Sequence, residues 1–284
     1  MNSSATIKLF LPHGDAKRLR TAEMSNWTGK ALAAPRTDLD DLLAREEIEH
    51  SGVYFLFGTD TQTGDPMAYI GEAEVIRDRL KQHRSKDFWV STVVFVSKDE
   101  NLTKAHIRYL ESRLIEESSR IQRYTLENTN ASGSKLPESD REDMEVFFSR
   151  IQQMLPVLGS DILTPIIGSR KPKTASNILS CKNKGAIARG LRTETGFVVF
   201  AGSTAVLRER PSAETQHPFV IELRKKLIQD GTLIEKNGFY YFTRDTEFSS
   251  PSAAAAVIHG GGTAGPVAWK NEDGRTLKEI EEEK

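Results

Sequence analysis

Two apolar runs in this chain, VYFLF at 53–57 and VVFV at 93–96, have the length of buried strands, and no run approaches the roughly 18 residues that cross a bilayer. They predict an interior sheet and no membrane segment. Around them the hydrophobic period switches. A short strand at Tyr69 and a strand over 92–97 alternate with helical spacing over 72–84 and 102–118, so 52–128 reads as one compact unit of strands and helices. At 284 residues the chain exceeds one ordinary domain, and 38% apolar with 28% charged residues suits a globular protein throughout. The fold class expected is α+β: a small central antiparallel or mixed sheet flanked by helices, followed by a second, smaller α+β domain.

Punctuation divides the chain further. Residues 1–50 open with the alternation Ile7, Leu9, Leu11 and continue through a polar segment holding Trp27 to a helix candidate over 38–47. They form an N-terminal extension expected to pack on the next domain. That domain covers 51–157 and closes with a helix whose N-cap is Ser139, with Glu142 completing a capping box and Pro156 ending it. Gly159, Pro165, Gly168 and Pro172 mark a linker over 158–175. The last domain, 176–284, begins with strand 186–192, a turn near Gly196 and strand 197–201, then a helix over 217–229. Asn237-Gly238 predicts a tight hairpin, because both central positions of such a turn need positive φ. Ser250 as N-cap and Pro251 at the first helical position start an alanine-rich helix that ends at Gly260.

The net charge of -1 hides opposed regions. Between Asp161 and Glu194 there is no acid, while Arg170, Lys171, Lys173, Lys182, Lys184, Arg189 and Arg192 all fall in that window; acidic clusters at 138–145 and 279–283 offset them. The sum does not advertise nucleic-acid binding, but the local basic strip is of the kind that meets phosphate. Cys181 is the one cysteine and permits neither an internal disulfide nor a multi-cysteine metal site. The polar start at 1–6 lacks the apolar core of a secretory signal. Both point to a reducing, cytoplasmic setting.

At about 100° per residue, the 72–84 helix places Val75, Ile76 and Leu80 in one arc with Arg79 and His83, while Arg77, Lys81 and Arg84 take the other side. An arginine at the core's edge and a satisfied histidine would explain the first pair. A solvated face, or contact with backbone phosphate, would explain the second set. On the next helix Glu111 falls inside the arc of Ile107, Leu110, Leu114 and Ile115. A carboxylate there needs an arginine, a metal ion or a raised pKa, since burying it unpaired costs several kcal/mol.

Gly52-Val53-Tyr54 on one strand, Tyr69-Ile70-Gly71 on the next, Arg79 ten residues after the second tyrosine, His83 four further on, then Glu111 and Asn128, together resemble the GIY-YIG nuclease superfamily. The first triplet reads Gly-Val-Tyr in place of Gly-Ile-Tyr, and the loop between the tyrosines is longer than in compact members. The resemblance covers about 52–128. It implies a metal-dependent endonuclease that hydrolyses DNA phosphodiester bonds with one metal ion, Mg²⁺ or Mn²⁺, held by Glu111. It assigns Arg79 to bidentate contact with the scissile phosphate, Tyr54 and Tyr69 to orienting and deprotonating the attacking water, His83 to proton relay and Asn128 to bracing the site. A phenol of pKa about 10 is a poor base, so this mechanism expects a nearby metal or cation to lower the pKa of Tyr54.

Arg77, Lys81, Arg84, Lys182, Lys184 and Arg189 are candidates for contact with DNA, the expected partner. The last domain resembles a C-terminal domain family of unknown function often attached to such nucleases, on GFVV at 196–199 through Gly202-Ser203 and FSSPSAAA at 248–255 through Trp269. Two other readings use the same residues: a non-catalytic nucleic-acid-binding protein on the nuclease fold, and a protein-interaction scaffold.

Overall fold

A computed structural model of the protein describes residues 4–61, 64–129, 133–165, 178–193 and 196–283. The chain divides into two compact units, Met1–Thr164 and Pro165–Lys284. Both combine helices with sheets, which is the expected α+β class. No helix among the described residues is long and apolar enough to cross a membrane.

The first unit is built on seven strands: β1 Ile7–Phe10, β2 Arg20–Met24, β3 Gly29–Pro35, β4 Gly52–Thr59, β5 Pro66–Ala73, β6 Trp89–Ser97 and β7 Thr125–Leu126. Their order is β1-β2-β3-β6-β4-β5-β7. The sheet is mixed, since β7 joins β5 in parallel while the other neighbours are antiparallel. β4 lies between β6 and β5 with helices over both faces, which is why the run VYFLF is buried at every position. On one face Val53, Phe55, Ile70 and Phe95 pack with α3 Lys104–Ile121 and α4 Glu138–Met154 through Ile107, Leu110, Leu114, Phe147 and Ile151. On the other, Tyr54, Leu56, Val94 and Trp89 pack with α1 Leu39–Leu43 and α2 Ile76–Gln82 through Leu39, Leu42, Ile76 and Leu80.

Several local expectations change. The polar segment around Trp27 is two strands, β2 and β3, and β3 pairs with β6, so the first 50 residues extend the central sheet itself. The sequence ALAAP in β3 has weak strand preference, and pairing against β6 decides its state. The helix candidate over 38–47 is the short α1 followed by a 3₁₀ turn, Glu46–Glu49. The helix expected over 72–84 begins only at Ile76: Glu72 and Ala73 complete β5, and Val75, placed in the buried arc by helical spacing, is extended and 40% exposed. The capping box at Ser139 does not form, because the helix already starts at Glu138 behind Pro137, and the Ser139 hydroxyl instead meets Asp140 Oδ1 at 3.1 Å. After α4 the chain stays on this unit, burying Leu158, Ile162 and Leu163. Gly168 and Pro172 of the expected linker, with Arg170, Lys171 and Lys173 of the basic strip, lie outside the described residues.

The second unit holds β8 Leu179–Asn183, β9 Ala186–Arg192, β10 Phe197–Val199, β11 Thr204–Val206, β12 Leu233–Lys236, β13 Phe239–Phe242 and β14 Thr246–Phe248. Four form the antiparallel sheet β14-β10-β9-β8, and three form β11-β13-β12. Its helices are α5 Ala213–Gln216, α6 Pro218–Gln229, α7 Pro251–His259, α8 Gly265–Ala268 and α9 Leu277–Glu282. The hairpin turn is as expected, with Asn237 at φ 54 and Gly238 at φ 81 joining β12 to β13. α7 is capped by the Ser250 hydroxyl, which accepts from the Ala253 N–H at 3.1 Å, and ends at Gly260 in the left-handed region. β8, which no sequence pattern marks as a strand, is an outer strand with alternating burial. Cys181 on its inner face is fully buried, and burial pushes its thiol up to about 12, so it is a core residue.

Arg224 on α6 is the unusual core residue. Its side chain is 0% exposed, and its guanidinium donates to Val257 O at 2.5 Å, Val206 O at 2.6 Å and Leu207 O at 3.0 Å. One buried cation thus ties α6 to the end of β11 and to α7.

Candidate active site

β4 and β5 pair with Tyr54 opposite Gly71 and Leu56 opposite Tyr69. Strand alternation therefore places both phenols on one face as diagonal neighbours. Their rings stack with centroids 5.9 Å apart. Gly71 makes room for them: a Cβ there would stand 2.5 Å from the Tyr54 hydroxyl and 2.8 Å from a ring carbon of Tyr69. The glycine of the second triplet is thus the space the phenol oxygen occupies.

α2 closes over this face. His83, just past its end, is buried with Nε2 2.7 Å from the Tyr54 hydroxyl and its ring 4.9 Å from that of Tyr69. Arg79, one turn earlier, hydrogen-bonds both phenols and reaches Gln82 Oε1 at 3.1 Å. No carboxylate among the described residues lies within ion-pair distance of Arg79, so its charge faces the site unmatched. Lys86 completes the rim with Nζ 4.6 Å above the Tyr69 ring, and it pairs with Glu127 at 2.6 Å.

The electrostatics differ in one respect from the sequence argument. The pKa of Tyr54 is raised well above the ordinary phenol value, first by burial and then by the adjacent Tyr69; hydrogen bonding from Arg79 opposes this without reversing it. The protein alone therefore keeps this phenol protonated. His83 is pushed down to about 4, chiefly by burial and further by Lys86 and Arg79, so at neutral pH it is an uncharged imidazole.

That shift has a measurable consequence. Between about pH 6.5 and 4 the unfolded chain binds a proton at this histidine that the folded chain refuses, so stability falls as pH drops through that window. Urea unfolding of His83→Gln should show a shallower loss of stability from pH 6.5 to 4 than the wild type. An identical pH dependence would show that His83 is not held neutral.

Glu111 is positioned by the outer edge of β5. β7 covers this edge only at Met67 and Ala68, with the Glu127 N–H donating to Ala68 O at 2.8 Å. One step further the Asn128 side chain takes over: its Oδ1 accepts from the Ile70 N–H at 3.1 Å and its Nδ2 donates to Ile70 O at 2.6 Å. At the next step the Glu72 backbone N–H donates to the Glu111 carboxylate. Asn128 and Glu111 thus continue the ladder where β7 stops, satisfying edge groups that would otherwise be open. The same contacts fix Glu111 beside the Tyr69-Ile70-Gly71 triplet.

No lysine or arginine among the described residues lies within ion-pair distance of Glu111. Burial, then the nearby Glu72 carboxylate, pushes its pKa up to about 7, against opposing effects from the Glu72 N–H, Arg79 and Arg108. Of the three partners open to this carboxylate, a paired arginine is not what the fold provides. Glu72 itself lies 3.7 Å from Arg108 Nε, whereas Glu111 has no lysine or arginine at that distance among the described residues, and a half-buried carboxylate so placed suits a single hard divalent ion. Among the described residues no group of three or more His, Cys, Asp or Glu could cage a metal, so water and phosphate oxygens would have to complete the coordination.

Nothing in the motif order points to Glu72 or Lys86. Strand alternation from Ile70 does place Glu72 on the α3 side, a signal that treating it as the start of a helix concealed. The opposite side of α2 is already matched in charge: Arg77 pairs with Glu49, Arg84 with Asp40, and Lys81 lies 3.6 Å from Asp78. Lys182, Lys184 and Arg189 are in the second unit, exposed on β8, in its turn to β9, and on β9.

The class these observations define is a two-unit α+β protein with a polar site at the edge strand of its first sheet. Residues 179–281 match the family model of a domain of unknown function (DUF4357), in line with the expectation for the C-terminal domain. No curated protein and no solved structure matches the chain.

Proposed function

We propose that the first unit is a metal-dependent endonuclease that hydrolyses DNA phosphodiester bonds by a single-metal mechanism of the GIY-YIG type. One observation carries this reading: Tyr54, Tyr69, Arg79 and His83 converge on one face of β4 and β5, and Glu111 stands unpaired at the adjoining edge. Glu111, with Glu72 nearby, would hold Mg²⁺ or Mn²⁺, and a bound divalent ion neutralises charge on phosphate and leaving oxygens. Arg79, with no carboxylate to satisfy it, is free to grip a phosphate through two N–H groups.

The proton path follows from donor rules. Arg79 can only donate, so the Tyr54 oxygen accepts from it, and the phenol proton is available to His83 Nε2, 2.7 Å away. With Tyr54 raised and His83 neutral, the phenol orients water and, as it takes the water's proton, passes its own to the imidazole, which is unprotonated near neutral pH and so has a nitrogen open to receive it. The second unit is read as the DNA-recognition part of the same protein.

The test is nicking of supercoiled plasmid in Mg²⁺. Arg79→Ala should slow cleavage about a hundredfold or more, and Arg79→Lys should recover little, because a point charge cannot reproduce the planar two-point contact. Equal nicking by wild type and both variants would reject the assignment.

A further inference from the structure

On the second unit the register of three segments gathers cations on one face. β8 and β9 pair with Ser180 opposite Arg189 and Lys182 opposite Ile187. The chain after α8 adds a third row: Lys270 bridges Ser180, each backbone N–H donating to the other's carbonyl at 2.7 and 2.9 Å. Directly opposed residues share a face. Arg189, Ser180 and Lys270 therefore stand in one line across three segments, with Lys182 and Ile187 in the next line. The neighbours that alternate with them, Leu179, Cys181, Ala188 and Trp269, are all buried in the core, so the register fixes the cationic side as the solvent side.

This face walls a groove of about 630 Å³ that also includes Asn271 and a single acid, Glu272. Arg192 pairs with Glu281, Arg244 with Asp230 and Arg275 with Glu283, while Lys184, Arg208 and Lys236, exposed elsewhere on the unit, also lack an ion pair among the described residues; what sets Lys182, Arg189 and Lys270 apart is that one register gathers them on one groove. Lys182, Arg189 and Lys270 have no carboxylate within ion-pair distance among the described residues. Ile187, between them, is 52% exposed.

The geometry points to a nucleic-acid backbone site in this groove, separate from the edge of β5 in the first unit. Two strand spacings set Arg189 and Lys270 about 10 Å apart at the backbone, and a step of two residues sets Lys182 about 7 Å from their line. An isolated anion meets one or two such cations, whereas a chain of phosphates repeating every few ångströms meets all three. Ser180 and Asn271 supply neutral donors between them, and Ile187 offers an apolar surface to a sugar.

The experiment measures binding of the full chain to a fluorescent DNA duplex without divalent cation, across a range of salt. Combined Lys182→Ala, Arg189→Ala and Lys270→Ala should weaken binding at least tenfold at moderate salt and make the log–log salt slope shallower by about 2 to 3, near 0.9 for each phosphate that is no longer neutralised. Lys225→Ala with Lys278→Ala, which removes two lysines already paired with acids, should leave both quantities unchanged. Thermal unfolding of the triple variant should match the wild type, showing that the fold is kept. Equal affinity and slope in the triple variant would overturn the site, and competition by polyglutamate as effective as by DNA of equal charge would overturn its assignment to nucleic acid. Because no metal or turnover is involved, failure of the nicking test leaves this result standing, and the reverse also holds.

Discussion

Glu111→Gln is expected to act in two opposite directions: to slow metal-dependent cleavage by about a thousandfold, and to make the metal-free protein more stable above pH 7 by up to about 3 kcal/mol. The second effect follows from the pKa near 7 of a carboxylate whose ordinary value is 4.5. Between those two values the folded chain holds a proton that the unfolded chain has released, so folding is penalised progressively as pH rises and fully above about 7. Below about 4.5 both states are protonated and the penalty is absent. Glutamine, neutral and of the same shape, removes it. Its gain in urea denaturation should therefore be largest at pH 8 and shrink at pH 5.

Mn²⁺ gives a separate readout. At a hundredfold excess over its dissociation constant it should stabilise the wild type by about 2.7 kcal/mol and leave Glu111→Gln unmoved. A variant less stable than wild type at pH 8, or one still stabilised by Mn²⁺, would remove Glu111 from the metal role.

Arg224→Ala is expected to cost about 3 to 5 kcal/mol and to unfold the second unit under mild conditions. The guanidinium serves three main-chain carbonyls in a place that water does not reach, so truncation leaves Val206, Leu207 and Val257 without their donor and opens a cavity as well. Burial lowers the pKa of Arg224, with Glu209 and Tyr240 acting in the opposite sense. The Glu209 contact is the weaker part: its carboxylate is 41% exposed and stands 3.3 Å from Nε without hydrogen-bond geometry. Glu209→Ala should consequently cost no more than about 1 kcal/mol. Urea unfolding of the full chain distinguishes the cases. Equal losses from the two substitutions would show that the ion pair, and not the carbonyl contacts, holds this cation in place.

The parts of the fold legible in the sequence are those governed by local rules. β4 and β6 stand out because VYFLF and VVFV are continuous apolar runs, and the Asn237-Gly238 turn and the Ser250 cap because backbone geometry admits few residues there. β2, β3 and β8 escape a reading of the sequence because their state is set by partners far along the chain. ALAAP has little reason to be extended until β6 lies beside it. Ser139 shows the converse: a capping pattern is present, but the helix is entered from Pro137, two residues too early for the box.

At the candidate site the residue types are visible from spacing and resemblance, but the cause of their placement is not. Gly71 matters for the atoms it lacks. Asn128 and Glu111 meet β5 through backbone groups that no side-chain pattern records. The rise in the Tyr54 pKa depends first on burial, a tertiary property that no spacing records.

The outer edge of β5 carries one last implication, for how the molecule behaves in company. A sheet margin with free N–H and C=O groups invites a strand from another molecule. With the Ile70 and Glu72 groups already occupied by an amide and a carboxylate from the same chain, crowding in solution finds little purchase at this margin.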